Sequence, residues 1–438
     1  MMENKFKDSL CEFNSFEQIQ KLQNSLLQKH LKYISTYSPF YKKLFKQLKI
    51  DPLQIKTTKE LSRLPFTTKK DLCRYPQDFI CTPSSQIVDI SLTSGTTGDP
   101  IAIYLTSKDI NRLGYNEEIS LKTAQITSKD IVLIAVALDR CFMAGLAYFL
   151  GLQRIGATAI RGGSSSIPIL AELVCKYNPS VIIGVPSLLL NLALFLEEEG
   201  ISPQTTTIQK LICIGEPIRY HDFSLMPLGK LLHQKWRAKL FGTYASSEMG
   251  TAFCECEYGK GGHLHPDLII LEIVDENGNI LPPGKIGEVV ATPLRVEGMP
   301  LLRFKTGDIA FLDTTPCKCG RNSPRLSPIL GRKSQALKIK GTTVYPPAIF
   351  AVLQKIPSIK NYYLEVYNHY ELSDIVKVVV GTTDAHLNSE QIAEKIAANI
   401  RVKPEVIITT PQKVNSKIIQ PNKRKPVLFF DYRQKKHG

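Results

Sequence analysis

The chain of 438 residues lacks any long hydrophobic run. Its apolar stretches end at about eight residues, as in 131–138 (IVLIAVAL), well short of the roughly 20 that a membrane-spanning helix needs. The first residues, MMENKFKDSLCEFNSF, contain no apolar core of the kind a secretory leader carries. There is no internal repeat and no low-complexity tract. Gly and Pro number 27 each, with no collagen-like period. Hydrophobic residues at 43% and charged residues at 22% exclude a largely disordered chain. These absences predict a soluble, cytoplasmic globular protein without membrane insertion. At roughly 150 residues per domain, two or three domains are expected.

What is present begins with charge. Lys and Arg number 55 against 40 Asp and Glu, a net +15. The excess is spread over both ends (Lys42, Lys43, Lys46, Lys49; Lys423, Arg424, Lys425, Lys435, Lys436). Aromatic–basic stripes are missing, so nucleic-acid binding is not favoured; phosphate-bearing small molecules or an acidic protein partner suit the charge equally. Of ten Cys, six are isolated (11, 73, 81, 141, 175 and 213) and read as buried small hydrophobes in a reducing compartment. The other four form two C-x-C pairs.

Periodicity gives the fold class. Residues 16–50 repeat apolar positions at helical spacing, and 87–93 and 101–106 read as strands around a polar, Gly-containing loop. From 107 to 240, apolar strands (131–137, 158–160, 181–184, 211–214) alternate with helical segments. That alternation predicts an α/β protein with a mostly parallel sheet covered on both faces. Strands at 268–275, 287–293 and 308–312 suggest a smaller β-rich region. From 334 to 438 the pieces alternate again, as a small α+β unit. The expected domains are 1–331 and 334–438, joined by a short hinge.

Four segments carry chemistry. Ser94-Gly95-Thr96-Thr97-Gly98-Asp99-Pro100 follows a strand and offers backbone N–H and hydroxyl donors to an oxyanion, though it lacks the Gly-Lys-[Ser/Thr] ending of a Walker loop. A plain hairpin turn is the competing reading. Next come Tyr244-Ala245-Ser246-Ser247-Glu248, Arg303-Phe304-Lys305-Thr306-Gly307-Asp308, and Gly331-Arg332 with Lys338-Ile339-Lys340-Gly341 behind it. The C-x-C pairs add a fifth constellation. Cys254-Glu-Cys256 precedes His263-Leu-His265, and Cys317-Lys-Cys319 follows. Such a set fits a tetrahedral, structural Zn²⁺ site. Cys256, His263, Cys317 and Cys319 are the expected ligands, with Cys254 and His265 as alternates.

In this order and spacing, the four segments resemble the adenylate-forming superfamily of acyl-CoA synthetases, above all its phenylacetate–CoA ligase-like branch. The likeness runs from about residue 35 to the end of the sequence. It implies that Ser94–Gly98 hold the β- and γ-phosphates of ATP. Gly215-Glu216-Pro217 would lie beside the adenine, Tyr244 would flank it, and Ser247 would contact the α-phosphate. Glu248 would ligate Mg²⁺, Asp308 would bind the ribose hydroxyls, and Arg332 would lie near ribose or phosphate. Lys425 matches the catalytic lysine, with Lys423 as the alternative register; Arg424 and Leu428 depart from the usual pattern around it, and Ala245 stands where Gly is common. A subset of this branch carries similar Cys and His residues. The implied activity is formation of an acyl-AMP from a carboxylic acid and ATP, then transfer to the thiol of coenzyme A or of an acidic acyl carrier protein. A non-catalytic nucleotide binder is the lesser alternative. Segments 134–150 and 181–192, with Phe142, Met143, Ala144 and Tyr148, would line an apolar pocket for an aromatic, arylacetate-like acid. Closure of the small domain would bring Lys425 to the site.

Overall fold

A computed structural model describes residues 11–93, 100–164, 166–339, 342–369, 373–400, 402–420 and 426–433. The chain divides into two compact units. The first holds residues 1–306 and 310–329, and the second holds 307–309 and 330–438.

The first unit starts with helices α1 (Phe16–Tyr37), α2 (Pro39–Leu48) and α3 (Lys69–Arg74). Ser15 opens α1 with a reciprocal capping box to Gln18, which satisfies two otherwise orphan amides. Strands β1 (Ile87–Leu92) and β2 (Ala102–Thr106) pair antiparallel. Helix α4 (Ser107–Thr123) leads into the main sheet. This is built from β3 (Ile131–Ala135), helix α5 (Met143–Ile155), β4 (Thr158–Arg161), helix α6 (Ile167–Tyr177), β5 (Val181–Gly184), helix α7 (Pro186–Glu198), β6 (Lys210–Ile214), helix α8 (Pro227–Trp236), β7 (Lys239–Ser246) and β8 (Thr251–Cys254).

The strand order is β4-β3-β5-β6-β7-β8, parallel throughout except for the antiparallel pair β7/β8. Alternate residues of each central strand enter different cores. Leu133, Ile182 and Leu211 pack with α6–α8, while Val132, Ile183 and Ile212 pack with Tyr148 and Leu152 of α5. Burial on both faces explains why these strands are continuous apolar runs.

A smaller β-rich region completes this unit. Strand β9 (Gly262–His263) precedes the antiparallel pair β10 (Ile269–Val274) and β11 (Gly287–Pro293). Then come β12 (Phe304–Ala310), β13 (Leu312–Asp313) and β14 (Arg325–Leu326). Strands β13, β14 and β9 form a three-stranded sheet in that order.

In the second unit, β15 (Gly331–Arg332) pairs antiparallel with Asp308–Ile309 of β12, which draws residues 307–309 into this unit. A hairpin of β16 (Leu337–Ile339) and β17 (Thr342–Val344) follows, then helix α9 (Pro346–Leu353). The remaining elements are β18 (Ile359–His369), β19 (Ser373–Thr382), helix α10 (Ser389–Ile400), β20 (Glu405–Thr409), helix α11 (Pro411–Ile418) and β21 (Phe429–Asp431). The sheet runs β20-β19-β18-β21.

The α/β class and parallel main sheet match the sequence reading. Strands β7, β8, β9, β14, β15, β17 and β21 and helices α3 and α11 are additional to it. The isolated cysteines need correction. Cys11, Cys81 and Cys213 are buried, but Cys73, Cys141 and Cys175 are exposed. In α6 the buried face is Leu170, Ala171 and Val174, which leaves Cys175 outside it. Among the described residues, no helix is long and apolar enough to cross a membrane.

Candidate nucleotide site and metal cluster

The carboxyl ends of the parallel strands converge on one edge of the main sheet, where doubly wound folds take their ligands. Gly215-Glu216-Pro217 leave β6 there. Gly215 has φ +73°, a conformation open to glycine without strain. The Glu216 carboxylate accepts from the backbone N–H of Ser187 at 3.0 Å and from its hydroxyl at 2.9 Å. It therefore sits at the N-terminus of α7, where a negative charge is favourable. Glu216 thus has a structural role in addition to its position in the motif.

Tyr244 lies on β7, cross-strand from Phe253, with ring centroids 6.3 Å apart. Ser247 and Glu248 lie on the tight turn joining β7 to β8. Gly250 N–H donates to the carbonyl of Ser246 at 3.1 Å and closes that turn. A cavity of about 20 Å³, room for about one water, is lined by Ser247, Glu248, Met143, Tyr104, Asp109 and Arg112.

Arg112 is a residue that motif reading missed. It is buried on α4 and spends its donors on neutral oxygens. These are the carbonyls of Gly250 (2.6 Å), Leu294 (2.7 Å) and Leu268 (2.7 Å) and the Thr251 hydroxyl (2.9 Å). It pins the Glu248 turn to the helix. Only its three-dimensional neighbours reveal this, since Arg112 belongs to no local motif.

Behind the turn lies the apolar wall proposed for the acyl group. Tyr148 and Met143 are buried, whereas Phe142 and Ala144 are half-buried. Glu117 of α4 is buried nearby, and its Oε2 has no partner among the described residues. Burial pushes its carboxyl up to about 8.

In the second unit, Asp308 is buried, and its Oδ1 lies 3.2 Å from Arg332 Nε. The two sit opposite each other across β12 and β15. Two residues named separately from the motifs are thus one ion pair. Ser94, Gly95, Thr96, Thr97 and Gly98 lie outside the described residues, as do Lys423 and Lys425.

The cysteine pairs meet in the first unit. Cys256, His263, Cys317 and Cys319 present one ligand atom each, all within 4.8 Å of one another. Cys256 Sγ and Cys317 Sγ are 3.7 Å apart, and Cys319 Sγ lies 3.5 Å from His263 Nε2. A tetrahedral zinc with Zn–S of about 2.3 Å and Zn–N of about 2.0–2.1 Å spans S···S edges of about 3.8 Å and S···N edges of about 3.5 Å. Those two edges match this geometry, and the remaining pairs, all within 4.8 Å, would have to close by up to about 1 Å around such an ion. His263 Nδ1 faces Ser323 Oγ at 3.5 Å, leaving Nε2 toward the cluster. Burial raises the Cys319 thiol, but hydrogen bonds with His263 and Arg321 outweigh it and bring it down to about 6.

The alternates are committed elsewhere. Cys254 packs in the core, and His265 pairs with Glu12 through Nδ1 and with Ser120 Oγ through Nε2 at 2.9 Å. Between the two cysteines, the Glu255 carboxylate accepts from Gly242 N–H at 2.8 Å and Arg219 Nε at 3.1 Å. One C-x-C segment therefore serves the core, an ion pair and the cluster in turn.

The comparisons with known proteins agree with this architecture. Residues 20–293, well over half of the chain, match the family model for AMP-binding enzymes. The chain belongs to that family and groups with its phenylacetate–CoA ligase-like members, the AMP-forming acid–CoA ligases. It is 29% identical over 424 residues to phenylacetate–coenzyme A ligase of Thermus thermophilus, covering 90% of this chain and 93% of that protein. To the Escherichia coli phenylacetate–coenzyme A ligase it is 28% identical, covering 96% of each. Among solved structures, 2-hydroxyisobutyryl-CoA ligase in its postadenylation state, in complex with R3-HIB-AMP, matches with a TM-score of 0.84. That match is at 21% identity and covers 96% of this chain and 91% of that one, a likeness of fold.

Proposed function

We propose that this ligase condenses an aromatic, arylacetate-like acid with coenzyme A through an acyl-AMP. In the first step a carboxylate oxygen attacks the α-phosphorus of ATP, and the bond to pyrophosphate breaks. In the second, a thiol attacks the acyl carbonyl, and AMP leaves with the electron pair. Carboxylate oxygen is a poor leaving group, and AMP is a good one, which is the reason for the first step. The protein's part is to position charged reactants and neutralise charge.

The roles follow residue by residue. Ser94–Gly98 cradle the outer phosphates and Ser247 meets the α-phosphate. Glu248 would hold Mg²⁺, which supplies charge neutralisation at the phosphates when bound. Tyr244 flanks the adenine, Asp308 takes the ribose with Arg332 beside it, and Lys425 bridges the acid and the α-phosphate. The observation that carries the reading is the Ser246–Gly250 turn, which holds Ser247 and Glu248 at the carboxyl end of β7 in a chain of this family. Phe142, Met143, Ala144 and Tyr148 support an apolar guest.

Pyrophosphate release measured across a panel of carboxylic acids tests this. Arylacetates should give the highest kcat/KM, and preference for short aliphatic or hydroxy acids would overturn the choice of acid. AMP release with coenzyme A alone is expected; strict dependence on a holo-carrier protein would move the acceptor to that class. The Cys256, His263, Cys317 and Cys319 cluster is proposed to hold structural zinc, with four protein ligands and no open position. Metal analysis of the purified protein should find about one zinc per chain.

A further inference from the structure

The segment just before α1 is tied to the cluster loop. Residues Cys11–Phe13 form a single 3₁₀ turn in the first unit. Glu12 is 2% exposed. Its carboxylate lies between Arg321 Nε, at 2.5 Å, and His265 Nδ1. Its backbone carbonyl accepts from the amides of Asn322 at 2.8 Å and Ser323 at 3.1 Å. Asn322 Nδ2 donates back to the carbonyls of Phe13 at 3.2 Å and Asn14 at 3.1 Å. The Arg321 guanidinium lies 4.8 Å from the Phe13 ring centroid, and its Nη1 donates to Cys319 Sγ at 3.6 Å.

We propose that residues 11–14 are a clasp on the metal loop, and that Arg321 couples the two. The argument rests on charge and on the zinc reading above. Three thiolates and one dication leave a net charge of about −1 in a mostly buried site, which asks for a cationic donor nearby. Arg321 is that donor. A guanidinium held there needs its own counter-charge, and Glu12 supplies it from the N-terminal segment. The loop 319–323 is thereby fixed by the metal on one side and by the clasp on the other. Whatever one tie contributes to ordering the loop, the second need not contribute again. By linkage, each must strengthen the other.

The experiment uses the full chain as purified and reads metal, not turnover. Zinc content is measured first, and then the rate of zinc capture by a chromogenic chelator. Glu12→Gln and Arg321→Met should release zinc about 10–100-fold faster than the parent chain. Phe13→Ala, at an exposed position, keeps the ion pairs while removing the ring from Arg321; it should release zinc only modestly faster and separates ring packing from charge. The reciprocal arm follows hydrogen exchange at the Asn322 and Ser323 amides. Chelation of the wild-type chain should speed their exchange, as should Glu12→Gln with zinc retained. Zinc bound at one per chain with unchanged release rates in both ion-pair variants would overturn the coupling alone. A wild-type chain containing no zinc would overturn the metal reading and this inference together.

Discussion

Glu117 shows how one side chain can set a pH dependence. Its carboxyl is raised by burial from an ordinary 4.5 to about 8, with no cation among the described residues to offset the cost. Below about pH 4.5 it is protonated in folded and unfolded chains alike and costs nothing. As pH rises toward about 8, the unfolded chain ionises while the folded one holds its proton, so stability falls across that window and levels off above it. The loss is on the order of a few kcal/mol. Glu117→Gln should flatten the decline, with thermal unfolding at pH 5 and pH 8 closer together than in the parent. An equally steep decline in the variant would assign it to other groups. Cys319 moves in the opposite direction, because hydrogen bonds favour its thiolate over its thiol.

At the scale of elements, the Glu248 turn depends on α4 through one buried arginine. Arg112→Met removes four charge-assisted hydrogen bonds and leaves three carbonyls without that donor. The expected cost is about 3 kcal/mol or more in denaturant unfolding, with KM for Mg·ATP raised about tenfold in the folded fraction. Arg112→Lys should recover little, since an ammonium cannot reach acceptors in three directions. An unchanged KM would separate this helix from the nucleotide site.

The same scale explains what could be read beforehand. The inner strands β3, β5 and β6 are apolar on both faces, so their sequences announce them. Strand β7 reads KLFGTYAS, turning polar toward its site end, and the motif there masks the strand. Helix α11, PQKVNSKI, buries only Val414 and Ile418 and gives too short a pattern to register. The cluster ligands were legible as a Cys/His set. The separate fates of Cys254 and Cys256 were not, because they depend on where strand β8, absent from the sequence reading, ends. Residues one apart on extended backbone point to opposite sides, so residues two apart share a face only while the strand persists, and β8 ends at Cys254. Arg112 and Glu12 left no trace in local sequence, because their partners lie far along the chain; Glu117 left none because tertiary packing alone buries it.

For the whole molecule, the division of labour is a proposal about half-reactions. Lys425→Ala should abolish acid-dependent ATP–pyrophosphate exchange by about a thousandfold or more, yet spare thiolysis of supplied acyl-AMP. Full exchange in that variant would pass the role to Lys423 or away from the tail. Dissecting the protein to test this is constrained by strand β12. The polypeptide leaves the first unit at 306, returns at 310 and leaves again at 329. A fragment stopped at 329 would discard the short strand bearing Arg332. Asp308 would lose its contact with Arg332, and Ile309 would lose its strand partner Gly331. A cut at 329 therefore parts strand partners of one unit, and full-length point variants are the sounder instruments.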